Sequence, residues 1–163
     1  MKKTYTILGI IIGIIIIVLI FLFINHNKTN KNVNVLSQAE AENAVLEFGK
    51  VLQRVPLTAD KDIIVDTIQK EYSPYITKDL LNTWTNDTSL APGREVSSPW
   101  PDHIEITETR KVGDEYQING HLIYMTSNEV EHGGNAGVRD VSAIINIYQD
   151  KPLISNFLMA EMN

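Results

Sequence analysis

Residues 103–110 read HIEITETR and residues 116–124 read YQINGHLIY, and these two stretches decide the fold. Apolar and polar side chains alternate in them, which is the pattern of strands with one buried face. Gly113-Asp114 lies between them and predicts a tight turn, so the two strands form an antiparallel hairpin. Two more strands, residues 138–148 and 153–159, follow and are joined by residues 149–152. The C-terminal part of the chain is therefore predicted to be a four-stranded antiparallel meander.

Upstream of the meander, apolar residues recur every three or four positions, which predicts three helices. The first begins at the capping-box pattern Ser37-Gln38-Ala39-Glu40 and ends before Pro56. The second ends at Ser73-Pro74, and the third runs from Lys78 to about Thr85. Helices followed by hairpin-linked strands predict an α+β domain over residues 37–163, in which helices pack on a curved four-stranded antiparallel sheet.

The N-terminus carries a predicted transmembrane anchor, residues 1–24. Every residue from Ile7 to Ile24 is apolar or glycine. Eighteen helical residues rise about 27 Å, close to the roughly 30 Å hydrocarbon core of a bilayer. Because no small-x-small cleavage site follows, an uncleaved single-pass anchor is favoured over a signal peptide.

The lysines flanking the anchor predict its direction. Lys2, Lys3 and the terminal amine slightly outnumber Lys28 and Lys31, so the N-terminus is placed in the cytoplasm and the domain outside the cell membrane. Residues 25–36 are mostly polar and are predicted to be a flexible tether, reaching on the order of 18 Å. The domain is therefore expected to remain close to the membrane surface.

Composition excludes several classes of function. The net charge is −6, and after the two lysines of residues 1–24 are removed, 12 basic residues face 20 acidic ones. Nucleic-acid binding is excluded because it requires clustered Lys and Arg. The absence of cysteine excludes disulfides, thiolate nucleophiles and Cys-based zinc sites.

The order of elements resembles the nuclear-transport-factor-two-like superfamily. The resemblance covers about residues 37–163 and includes the run Ser73-Pro74-Tyr75, Leu80-Leu81 and Trp84. It implies a cone-shaped domain whose open end can be a ligand pocket, and members include enzymes, ligand-binding modules and dimeric scaffolds. Single-span bacterial members include assembly subunits of conjugation and type IV secretion machinery.

The loop predicted over residues 86–102, with its continuation to His103, contains the candidate ligand-binding residues. Arg94 is a candidate for binding an anion through two hydrogen bonds from its guanidinium group. Trp100 is a candidate for the wall of a pocket, and His103 for its rim. The alternative is structural: Trp100 plugs the end of the sheet, and Arg94 pairs with Glu95 or a neighbouring acid.

No catalytic or metal motif stands out. Acid–base catalysis would need a histidine beside an orienting carboxylate or tyrosine, and the available groups are His103, His121, Tyr116, Tyr124 and Asp102. His121 and Tyr124 fall on opposite faces of one strand. The hairpin-tip residues Glu129, Glu131 and His132 match no cation loop, so a solvated turn is predicted there. The sequence predicts no catalytic residues, no metal site and no cofactor. It also predicts that the chain is not an enzyme.

These observations favour a membrane-anchored interaction or scaffold module outside the membrane. It would act as a homodimer through its open sheet face, or as a subunit of a cell-envelope, secretion or conjugation assembly. The alternative is a small-molecule-binding or hydrolytic domain that uses the cone pocket, with Arg94, Trp100 and His103 at its rim.

Overall fold

Residues 36–161 are described by the computed structural model of this chain. They form helices followed by a four-stranded antiparallel sheet, so the α+β class predicted from the sequence is confirmed. The predicted anchor, residues 1–24, and residues 25–35 of the predicted tether lie outside the described residues. None of the helices within residues 36–161 has the length and apolar character needed to cross a bilayer.

Three helices precede the sheet, as predicted. They are α1 (Gln38–Val51), which continues as a 3₁₀ turn (Leu52–Arg54), α2 (Lys61–Tyr72) and α3 (Lys78–Asn86). Ser37 caps α1, because its side chain accepts from the Glu40 N–H and the Glu40 carboxylate accepts from the Ser37 N–H at 3.0 Å. These two hydrogen bonds satisfy backbone donors that have no partner inside the helix.

The sheet is a meander in sequence order. Its strands are β1 (Trp100–Val112), β2 (Glu115–Met125), β3 (Gly137–Tyr148) and β4 (Lys151–Met159), and each pairs antiparallel with the next. Alternate residues of the central strands face the helices and are buried. On β2 and β3 these include Tyr116, Ile118, Leu122, Tyr124, Val141, Ala143 and Ile145.

Three boundaries differ from the sequence predictions. The predicted loop ends earlier, because Trp100 and Pro101 already pair with β2 and belong to β1. The predicted hairpin turn near residues 129–132 is instead a short helix, α4 (Ser127–His132), whose start is fixed by a capping box between Thr126 and Glu129. The last turn needs only two residues, Gln149 and Asp150, because both adopt positive φ as in a type I′ turn.

Helix α1 lies directly against β1. A Cβ atom at Gly49 would stand 2.9 Å from the Ile104 side chain and 3.0 Å from its backbone nitrogen, so only glycine permits this approach. Strands β1 and β2 also approach closely, since a Cβ at Gly120 on β2 would stand 2.5 Å from the Glu105 carbonyl oxygen on β1. Gly49 therefore sets the spacing between α1 and the sheet, and Gly120 permits the close approach of β1 and β2.

The space between helices and sheet is filled by four aromatic rings. Phe48 contacts Tyr72 edge-on at 5.1 Å between centroids and Phe157 at 5.2 Å, and Trp84 stacks on Phe48 at 6.1 Å. Aromatic pairs in such geometry contribute about 0.5–1.5 kcal/mol each beyond their burial. The four rings join α1, α2 and α3 to β4 in a single core.

The free edge of β4 is partly covered by the segment that precedes α3. The Thr77 N–H donates to the Ile154 carbonyl at 2.9 Å, and the Ile154 N–H donates to the Tyr75 carbonyl at 2.9 Å. This pairing satisfies backbone groups that would otherwise be open to another chain.

Candidate binding site

Arg139 is an arginine on the buried face of the sheet. It lies on β3 opposite Leu122, whose side chain is fully buried, and paired residues point to the same face. Only 13% of the Arg139 side chain is exposed. A charge buried to this extent needs a partner, because desolvation penalises it.

Glu95 supplies that partner from the loop between α3 and β1. Arg139 donates from Nη1 to one Glu95 oxygen at 2.8 Å and from Nη2 to the other at 3.1 Å, a two-pronged ion pair. The hydrogen bond that Arg139 donates to Glu95 is the main cause of the raised pKa of Arg139. The Glu95 side chain is half exposed, so the acid approaches the buried cation from the solvent side.

Backbone contacts fix the residues just before Glu95. The Arg94 N–H donates to the Val55 carbonyl at 2.8 Å, and the Leu57 N–H donates to the Arg94 carbonyl at 2.9 Å. The Tyr72 hydroxyl donates to the Pro92 carbonyl at 2.6 Å inside the core. Burial raises the pKa of Tyr72 well above its ordinary value, which keeps this donor protonated.

Tyr124 lies beneath the guanidinium. The Arg139 carbon Cζ is 5.4 Å from the centroid of the Tyr124 ring, within the range of a cation–π contact. The Tyr124 hydroxyl and Arg139 Nε are both buried and have no hydrogen-bond partner among residues 36–161. Burial also raises the pKa of Tyr124. Two unpaired donors of this kind cost about 1–3 kcal/mol each.

An open cleft of about 680 Å³ adjoins this ion pair. Its apolar part includes two strongly exposed leucines, Leu90 at 58% and Leu158 at 64%. Its polar part includes Glu95, Arg139 and Glu161. The remaining lining residues are Leu57, Thr88, Ser89, Ala91, Pro92, Phe157, Met159 and Ala160. The volume lies within the range of about 300–1,000 Å³ that is typical of ligand sites.

Known proteins offer no guide to this cleft. No protein-family model matches the chain, and no curated protein or solved structure does so. The function is therefore inferred from the chain's own geometry.

The three residues predicted for a pocket rim lie apart from the cleft. Arg94, Trp100 and His103 are not among the described residues that line it. Arg94 is held by its backbone, and Glu95 binds Arg139 instead, so the considered pair between Arg94 and Glu95 does not form. Trp100 is half-buried at the start of β1.

His103 lies in an acidic surface group. Its Nδ1 is 2.8 Å from Asp102 Oδ2 and its Nε2 is 3.5 Å from Glu105 Oε1. The neighbouring carboxylates orient the ring as an acid–base residue would require. The group is nevertheless well solvated, with 39% of the His103 side chain exposed.

A second histidine–carboxylate pair lies on the outer face of the sheet. His121 Nδ1 is 2.9 Å from Asp140 Oδ1, beside a groove of about 620 Å³. Tyr124 points to the opposite, buried face, so the prediction that His121 and Tyr124 do not meet is confirmed. Asp140 and His121 are both exposed to solvent, which leaves the pair in a polar environment.

The residues considered for a cation have local roles in α4. The Glu129 carboxylate accepts from the Thr126 hydroxyl, which is the main cause of the lowered pKa of Glu129, and from the Thr126 N–H at 3.0 Å. His132 Nδ1 lies 3.0 Å from the Asn128 carbonyl oxygen. Gly133 and Gly134 adopt positive φ, as expected for glycines that end the helix. Residues 36–161 contain no group of three or more potential metal ligands.

Arg139 was missed by the sequence reasoning although a signal existed. The inward positions of β3 are Val141, Ala143 and Ile145, and counting back by two from Val141 reaches Arg139. The strand period of two therefore places an arginine on the buried face. Charged residues on such a face require a specific partner, which marks the position for attention.

Proposed function

We propose that this chain is a membrane-anchored interaction module whose cleft beside Arg139 docks a segment of a partner protein. In this proposal residues 1–24 anchor the chain, with the N-terminus in the cytoplasm and the α+β domain outside. A tether of about eleven residues reaches on the order of 18 Å. The partner is therefore expected in the same membrane or at its surface, as in a cell-envelope assembly.

The composition of the cleft carries the proposal. A single exposed leucine on a protein surface needs no explanation. Leu90 and Leu158 are different because they share one concave surface with a largely buried arginine. Arginine is enriched at the energetic centre of protein interfaces, and the two leucines add apolar surface beside it.

We infer that the domain is built like the superfamily that the sequence resembles. Three helices precede a four-stranded antiparallel meander, which is the expected element order. Register shifts after Pro101 and Ile106 in β1, and near Ile144 where β3 meets β4, are bulges that bend and twist strands. These bulges favour the curved, cone-like sheet, and the cleft would lie near its mouth.

The outer face of the sheet is a less suitable docking surface. The predicted homodimer would use this face, and the groove along it shares the exposed Leu158 with the cleft. Its polar lining residues include Glu108, Asn119, His121, Asp140 and Ser142. The cleft differs from this groove in adding a largely buried arginine beside the shared leucine. We therefore favour a partner in the cleft over a second copy on the sheet.

Cross-linking of the full-length chain in its own membranes tests the proposal. The variant Leu90→Ser/Leu158→Ser should lose a cross-linked species that the wild-type chain forms. The matched control is Ile63→Ser/Val112→Ser, because these two exposed apolar residues lie outside the cleft. A chain that remains a monomer without a cross-linked partner, or equal loss in both variants, would contradict the proposal.

A small-molecule-binding or hydrolytic domain is the second candidate, and the volume of the cleft favours it. Native mass spectrometry of the full-length chain released from nanodiscs separates the two candidates. A bound mass below about 1 kDa would support a small ligand, since pockets of this volume hold drug-sized molecules. A bound polypeptide would support the interaction module.

A further inference from the structure

We propose that Glu95 occupies a carboxylate subsite on Arg139, and that an acidic side chain of the partner segment displaces Glu95 when it docks. This inference rests on the proposed function, because it names the chemistry that the cleft recognises. The ligand is a peptide segment with one glutamate or aspartate flanked by an apolar residue.

The two members of the ion pair are held very differently. Arg139 lies on β3 paired with Leu122 of β2, packs over the Tyr124 ring and has its Nη1 3.9 Å from the Met159 sulfur. Glu95 is half exposed and is followed by exposed residues 96–98. A half-exposed carboxylate keeps part of its hydration, so another carboxylate can take its place on the arginine with the same two hydrogen bonds. Arg139 is therefore held in place by the sheet, whereas Glu95 can be displaced by another carboxylate.

The subsite has unused hydrogen-bonding capacity. A guanidinium carries five N–H donors, and Glu95 engages one on Nη1 and one on Nη2. Arg139 Nε and the Tyr124 hydroxyl are buried without partners among the described residues, and Tyr124 is only 4% exposed. An incoming segment brings backbone carbonyls as well as its own carboxylate. Tyr124 is not among the described residues that line the cleft, so the donors offered to an incoming segment are those of Arg139.

The surroundings define the rest of the ligand. Leu90 and Leu158 lie on the wall of the same cleft, so an apolar side chain next to the acid has a surface to cover. Glu161 also lines the cleft and contributes negative charge near Arg139. A ligand with several adjacent acids would be repelled by it. The site therefore favours a single carboxylate with an apolar neighbour.

Peptide binding to the full-length chain in detergent micelles tests the inference by calorimetry. The probe is acetyl-Leu-Glu-Leu-amide, and its matched neutral control is acetyl-Leu-Gln-Leu-amide. Glu95→Ala should bind the acidic peptide about fivefold more tightly than wild type, as expected when a half-exposed competing carboxylate is removed. It should also prefer the acidic peptide to the neutral one. Glu115→Ala, an exposed acid outside the cleft, should bind like wild type.

A second variant shows whether Arg139 is the cause. Glu95→Ala/Arg139→Lys retains a positive charge but removes the two-pronged donor, and it should lose most of the preference for the acidic peptide. Equal binding of both peptides to Glu95→Ala, or a preference that survives Arg139→Lys, would overturn the inference. Thermal unfolding of each variant identifies loss of folding.

The outcomes separate this inference from the proposed function. If cross-linking depends on Leu90 and Leu158 but the peptides show no acid preference, the subsite is wrong and the docking cleft stands. If Glu95→Ala binds the acidic peptide through Arg139 but no partner depends on the leucines, the subsite stands and the proposed function fails.

Discussion

Two tyrosine-to-phenylalanine substitutions should have opposite effects on stability. Tyr72 is fully buried and its hydroxyl donates to the Pro92 carbonyl at 2.6 Å, whereas the buried Tyr124 hydroxyl has no partner among the described residues. Both changes remove one oxygen and leave the ring in place. Tyr72→Phe leaves a buried carbonyl without its donor, whereas Tyr124→Phe removes a buried donor that was unpaired.

The magnitudes follow from the two hydrogen-bond environments. Tyr72→Phe should lower the free energy of unfolding by about 1–3 kcal/mol, the cost of an unsatisfied buried group. Its ring contacts with Phe48 and Trp84, at 5.1 and 5.8 Å between centroids, should be unchanged. Tyr124→Phe should leave the free energy unchanged or raise it by about 1 kcal/mol, because no hydrogen bond is lost.

Urea unfolding of the full-length chain in detergent micelles measures both effects. The buried Trp84 supplies a fluorescence signal, and an unchanged denaturant slope would show that only stability has altered. Tyr148→Phe is the control, because this residue is about half exposed at the end of β3 and should change the free energy by less than about 0.5 kcal/mol. Equal losses for Tyr72→Phe and Tyr124→Phe would refute the hydrogen-bond reasoning.

Three further predictions test the fold. Gly120→Ala should destabilise the chain by about 2–3 kcal/mol through overpacking, since its Cβ would lie 2.5 Å from the Glu105 carbonyl oxygen; an unchanged urea midpoint would contradict this. The hydrogen bond from Arg54 is the main cause that lowers the pKa of Glu71 below 4.5. The ion pair therefore stabilises the folded state above that pH, and this contribution is lost as pH falls through the folded-state pKa. Stability measured by urea titration should therefore fall less steeply below pH 4.5 in Glu71→Gln than in wild type, and identical slopes would count against it. Thr126→Ala should remove the cap of α4 and cost about 1 kcal/mol locally; amide exchange in residues 128–133 should accelerate, and unchanged protection would disprove the cap's role.

The alternation of residues 103–110 and 116–124 was sufficient to predict the first two strands of the sheet. One face of each strand must be buried, so apolar residues recur at every second position of the sequence. The capping box at Ser37 and the helical spacing after it predicted α1 for the same reason. Local sequence patterns were therefore enough to predict the order of these elements.

Sequence patterns could not predict where the strands shift register. The register shift between Ile144 and Ile145 leaves Ser155 on β4 without a partner, and the Ser155 hydroxyl donates to the Ile144 carbonyl at 3.2 Å. Ile154 and Phe157 are three residues apart and would point to opposite faces of a regular strand. Both are buried, because the extra residue of the bulge shifts the alternation by one position. Such a shift depends on packing against the helices rather than on any local residue preference.

The site was only partly predictable because its loop is shaped by distant contacts. The sequence prediction named Arg94 in this loop, but the residue that pairs with the buried Arg139 is its neighbour Glu95. That one-residue difference is set by the Pro92 carbonyl bonded to Tyr72 and by the Arg94 backbone bonded to Val55. Neither contact has a signal in the local sequence.

Site-specific photocross-linking tests the central claim, docking of a partner in the cleft, most directly. A photoreactive residue would replace Leu158 in the full-length chain in its own membranes, with the same residue at Val112 as the matched exposed control. The account predicts an adduct with one protein from position 158 that weakens when Leu90→Ser is added, and no such adduct from position 112. The absence of an adduct at 158, or the same adduct from both positions, would contradict it.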